Sequence, residues 1–184
     1  MKAFTLGALA VLSVVAAPRL VTQTPAPPPS PAGVRGEILT QFDDAANKLL
    51  QLGEAIPQEK YAWRPGAGVR SVSQVLMHVA GGNYFVLTFA GVKTPEGLPQ
   101  DGEATVTSKP QVLEQLRRSI DFTRSQLRGI PDAELDQPVT MFGQATTKRG
   151  VLMTVATHAH EHLGQLIAYA RTNGVVPPWS RGGQ

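Results

Sequence analysis

The chain has four histidines, and three of them, His158, His160 and His162, fall within five residues of the stretch THAHEHLGQLIAYAR. His158 and His162 stand four apart, so on a helix their imidazoles leave one face about a turn from each other. Neutral imidazole is a common ligand for divalent metals, and such a pair makes half of a metal site. The fourth histidine, His78, lies in a separate apolar stretch, SVSQVLMHVA. Polar rings in the middle of apolar stripes must be satisfied. Hydrogen bonds to side chains or water are one solution; a divalent cation taking lone pairs from His78, His158 and His162 is the other. His160 does not belong to that set, because two residues on a helix is a rotation of about 200°, which places it on the surface or at an interface. Glu161, at the edge of the inward face, is a candidate acid or base, or else a solvated charge. Gln165, one turn beyond His162, is a candidate hydrogen-bond partner for a ligand ring, or else a core-edge glutamine.

Other metal chemistries lack their residues. The HExxH signature of zinc proteases is absent, since nothing ionisable stands three residues after Glu161. Carboxylate-bridged di-iron bundles need paired Glu-x-x-His motifs that this chain does not assemble. No cysteine is present, which excludes disulfides, thiolate ligands and a catalytic thiol. Nitrogen-only ligands favour zinc or nickel, with iron or manganese also open. Three neutral imidazoles leave coordination positions free, a competence for metal-assisted hydrolysis or transfer.

The elements that must position these residues read as helices. Ile38, Phe42, Ala45, Leu49, Leu52 and Ile56 repeat every three or four residues until Pro57. In the QEKYAWRPGAGVR segment that follows, Tyr61 and Trp63 either plug a bundle end or wall a ligand. A second helix starts at Ser71, where Ser71 and Gln74 have capping-box spacing, and it carries His78. Gly81 and Gly82 leave room beside an imidazole or let a neighbouring helix approach. The connection from Gly91 to Thr107 is long for a bundle hairpin and permits a crossover. A third helix opens at Ser108, with Pro110 in its first turn, and runs to Gly129. Residues 130–146 are assigned to loop, with PVTMF as a short extended piece the alternative. The last helix runs from about Thr147 to Asn173-Gly174, with Val151, Val155, His158, His162, Gln165 and Tyr169 on its inward face.

The N-terminus reads differently. Lys2 followed by the uncharged run Phe4 to Val15 and the small residues Ala16-Ala17 is a secretory signal pattern, ending at residue 17 or as late as 26. It is too short for a membrane span of roughly 20 residues. A Pro-rich tether follows to residue 33, with five prolines in the ten residues from Thr24 to Gly33. The domain then occupies residues 34–180, and 181–184 form a tail. A net charge of +3 spread over 184 residues gives no basic stripe, so nucleic acid is excluded as a partner.

These residues resemble the DinB-like (YfiT-like) metalloenzyme family. YAWRPGAGVRSVSQVLMHVA is similar to the family's stretch around its first ligand, and HAHEHLGQL to its HxxxH pair followed by Gly-Gln. The closing NGVVPPWS is similar to the tail of exported members. The resemblance spans about residues 34 to 180. It implies an all-α four-helix bundle, up-down-down-up, with a crossover between the second and third long helices and a divalent metal on His78, His158 and His162. Some family members act on low-molecular-weight thiols of the cytosol, which an exported protein would not meet, so no substrate is carried across.

The sequence thus predicts an exported, periplasmic or secreted, metal-binding four-helix protein with hydrolase or transferase chemistry on a small molecule. A non-catalytic metal- or ligand-binding protein is the alternative. No stable membrane span is expected after processing, and a homodimer stays open.

Overall fold

A computed structural model describes Met1 and residues 33–182. The signal segment beyond Met1, the tether up to residue 32 and the last two residues of the tail lie outside the described residues. Helix α1 (Gly33–Ala55) buries Leu39, Phe42, Ala45, Leu49 and Leu52 along one stripe. Its end shows how local chemistry sets a boundary. The Gly53 carbonyl would accept from the amide of residue 57, which is Pro57 and has no N–H. The Tyr61 hydroxyl donates to that carbonyl instead, at 2.8 Å, and Lys109 Nζ donates to the carbonyls of Glu54 and Ile56 at 2.6 and 2.8 Å. Tyr61 is therefore the plug at this end of the bundle, 1% exposed.

Helix α2 (Val72–Thr88) opens on the capping box: the Gln74 amide donates to Ser71 Oγ, and the Ser71 amide donates to Gln74 Oε1. Val86 faces the core and Phe85 faces solvent. A short helix α3 (Gly102–Thr105) interrupts the connection that follows, and α4 (Lys109–Gly129) carries Pro110 in its first turn. The last helix, α5 (Lys148–Thr172), is capped by Thr147, whose hydroxyl accepts from the Gly150 amide.

Residue pairs fix the helix directions. Arg35, at the start of α1, donates to the carbonyls of Arg128 and Ile130 at the end of α4, while Arg117 nearer the start of α4 reaches Glu54; these two helices are antiparallel. Leu76 and Leu113 meet at Gly53, and Tyr84 packs on Phe122, so α2 and α4 run the same way. Gly82 faces His158, whereas the Arg70 carbonyl accepts from Tyr169, so α2 and α5 are antiparallel. His160 meets Gln41 and Lys48 lies over the Trp179 ring beyond α5, which makes α1 and α5 parallel. The bundle is up-down-down-up. Because α2 and α4 share a direction, the connection between them must travel back along the bundle as a crossover.

One assignment is corrected. Within residues 130–146, read as loop, the chain forms an antiparallel hairpin of β1 (Pro138–Met141) and β2 (Gln144–Thr147), with Pro138 opposite Thr147 and Met141 opposite Gln144. Phe142 and Gly143 turn it with φ of +51° and +79°, the two left-handed residues that match the twist of a tight hairpin. Val139 and Met141 pack against the core, and Pro138 sits at the first strand position, where its missing N–H costs no ladder bond. Among the described residues no helix is long and apolar enough to cross a membrane.

Candidate metal centre

The four-residue spacing on α5 stacks His158 and His162 with ring centres 4.6 Å apart. Antiparallel α2 brings His78 against both, its ring centre 5.1 Å from His158 and 4.8 Å from His162. One nitrogen of each ring lies within 4.8 Å of the others. His162 is buried, and His78 and His158 are half-buried. Gly82, one turn along α2 from His78, makes this approach feasible: a Cβ there would lie 3.0 Å from Nδ1 of His158 and overlap the ring. Gly81, its neighbour, faces open space.

Two of the three rings, His162 and His78, are held by hydrogen bonds from outside the cluster. Gln165 Oε1 is an acceptor, so His162 Nδ1 donates to it, at 2.8 Å, and the lone pair of that ring sits on Nε2. Gln165 Nε2 donates to the Tyr169 hydroxyl at 2.9 Å, and that hydroxyl donates to the Arg70 carbonyl at 3.2 Å. Trp63 packs edge-on against Tyr169, with ring centres 5.2 Å apart. On the other side His78 Nδ1 lies 2.6 Å from Glu103 Oε1, and Glu103 Oε2 accepts from Arg70 Nε at 2.8 Å.

Electrostatics favour the neutral form of the two imidazoles on α5. Burial, then the neighbouring His162, His78 and Arg70, push the His158 pKa down to about 4. Burial is also the main reason that His162 is lowered, against an opposing hydrogen bond to Gln165. Desolvation pushes the Glu103 carboxyl up, but hydrogen bonds and charge from Arg70 and His78 outweigh it and leave the pKa lowered. Near neutral pH the site therefore combines the neutral nitrogen donors of His158 and His162 with an ionised carboxylate behind His78. That donor set fits a borderline divalent ion such as zinc, which takes imidazole nitrogen and keeps further positions open.

Of the residues singled out in the sequence, His78, His158, His162 and Gln165 come together here. Glu161 is solvent-exposed beside His162, outside the triangle of rings. His160 points the other way, with Nε2 3.0 Å from the Gln41 carbonyl on α1. Glu103 and Arg70 were not legible in the sequence. Glu103 stands 25 positions from His78 in a Gly- and Pro-punctuated connection where no periodicity relates the two, and only the crossover joins them. A cleft of about 1060 Å³ opens beside the site between α2 and the crossover, lined by His78, Gly82, Tyr84, Phe85, Leu98 and Glu103 among others.

Comparison with known proteins points the same way. The sequence pattern of the DinB superfamily matches residues 41–166. Among solved structures the chain is similar to a DinB-like protein from Bacillus cereus, at 19% identity and TM-score 0.67, covering 77% of this chain and 93% of that one. It is also similar to a DinB-like protein from Bacillus subtilis, at 20% identity and TM-score 0.61, covering 76% and 93%. A conserved protein from Enterococcus faecalis shares the fold at 16% identity and TM-score 0.60, covering 77% and 97%. No curated protein matches the chain.

Proposed function

The chain belongs to the DinB superfamily, and from that premise we propose that it is an exported protein that uses a divalent metal on His78, His158 and His162 for hydrolysis or group transfer on a small substrate. The observation that carries the reading is the convergence of three imidazoles from two helices to within 4.8 Å. A borderline ion held by neutral nitrogens supplies Lewis acidity at open coordination positions. Zinc or nickel suits this donor set best, and iron or manganese is compatible with it. His162 offers Nε2 because Gln165 holds its other nitrogen, and Gly82 fixes how closely His158 can approach α2. The cleft bordered by His78 gives a small molecule with an apolar body a place to lie. Glu161, at the solvent side of the ligand pair, is the proposed acid or base.

The test is metal analysis and zinc titration of the purified protein, followed by a panel of ester, amide and thiol-transfer substrates. The expected result is one divalent ion per chain, lost in the H78A/H158A/H162A variant while helical content is kept. Failure of the wild type to take up any divalent ion overturns the reading. Stoichiometric metal without turnover across the panel reduces it to a metal-binding protein.

A further inference from the structure

The hydrogen bonds around the triad form one continuous arc. It runs from His162 Nδ1 through Gln165 and Tyr169 to the Arg70 carbonyl, then from the Arg70 guanidinium through Glu103 to His78 Nδ1. Both ends of the arc terminate on a ligand ring, and both strands of it pass through Arg70. The His78 end differs from the other in two respects. Its acceptor is a carboxylate rather than an amide, and it comes from α3 in the crossover rather than from a ligand helix.

We infer that Glu103, braced by Arg70, is the positioning residue that commits His78 to metal binding and sets the affinity of the centre. An ionised carboxylate accepts and cannot donate, so it holds the imidazole proton on Nδ1 and leaves the His78 lone pair on Nε2. The 2.6 Å contact also fixes the ring about its χ angles, and the negative charge makes the imidazole a stronger donor. Arg70 holds the second carboxylate oxygen at 2.8 Å and so keeps the first aimed at His78. The crossover, which the bundle topology requires, thereby delivers a component of the metal site that neither α2 nor α5 can supply.

The metal arm of this inference rests on the proposed function; the tautomer arm does not. The test uses the full chain in two measurements. In the metal-free protein at pH 8, ¹⁵N spectra of the imidazoles should show His78 as the Nδ1–H tautomer. E103A should move it toward the Nε2–H form that an unconstrained histidine side chain favours, and E103Q should do the same, because Arg70 Nε can only donate and claims the single amide oxygen, which turns the amide NH2 toward His78 Nδ1. Competitive zinc titration should give a loss of about 10- to 100-fold for E103A and a loss of the same order for E103Q. D101N removes a charge from the same segment without touching the triad and should match the wild type in both. If Glu103 merely ties the crossover to Arg70, E103A lowers the melting temperature yet leaves the His78 tautomer and zinc affinity unchanged, and the inference is overturned. A wild type that takes no zinc, but whose His78 tautomer responds to E103A, sinks the metal reading and leaves the positioning role standing.

Discussion

Gly82 on α2 lies flush against the imidazole of His158 on α5, with no room for a Cβ between them. The adjacent Gly81 faces open space, so the two glycines form a matched pair for experiment. Gly82→Ala should cost about 1–3 kcal/mol through overpacking and lower zinc affinity at least tenfold by tilting the His158 ring. Gly81→Ala should be neutral or stabilising by about 0.5–1 kcal/mol, the usual gain in helix propensity. Chemical denaturation and zinc titration of both variants check this, and equal behaviour of the two would remove the steric argument.

The depressed pKa of His158 sets a pH dependence. Burial first, then the neighbouring His162, His78 and Arg70, hold the folded value at about 4, against 6.5 for the free side chain. The unfolded chain therefore binds a proton in this interval that the folded chain refuses. The contribution of this ring to stability is complete above about pH 6.5 and is lost as the pH falls toward 4. Urea midpoints of the chelated protein should decline from pH 7 to pH 5, and His158→Ala should flatten that decline. Added zinc should carry the midpoint to lower pH, because it binds only the folded, deprotonated site.

Tyr61→Phe isolates the end of α1. It removes the hydroxyl that stands in for the missing Pro57 amide at the Gly53 carbonyl and leaves a buried acceptor unpaired. A loss of about 1–3 kcal/mol is expected, with zinc affinity unchanged because the site lies elsewhere in the bundle. A loss below about 0.5 kcal/mol would mean that solvent reaches that carbonyl.

Glu161→Gln separates chemistry from binding. Metal content should remain at the wild-type level, since the residue is exposed and outside the triangle of rings. Turnover on any substrate found should fall by about 10²-fold or more, the usual contribution of a general acid or base. Unchanged turnover would return Glu161 to the solvated surface.

What the sequence disclosed depended on periodicity. The His158–His162 pair, the Ser71–Gln74 box and the stripes of α1 and α5 all follow from helical geometry acting on near neighbours. The hairpin at 138–147 has no sequence signal of its own, because its strands are four residues long and its Phe142-Gly143 turn lacks the Asn or Asp that usually marks left-handed backbone. Glu103 and Arg70 are silent in the sequence for a different reason. Their relation to His78 is a product of chain topology, and no local rule links a carboxylate in a Gly-Pro connection to a ring on the preceding helix.

The antiparallel meeting of α2 with α5 also has a temporal side. His78 leaves the ribosome long before His158 and His162, which reside on the final long helix. A nascent or truncated polypeptide ending before that helix carries only one of the three ring nitrogens and has no means of capturing an ion tightly. On the proposed reading, metal acquisition is thus deferred until synthesis is finished and the last helix has docked, and any ion the triad takes is drawn from the compartment in which folding is completed.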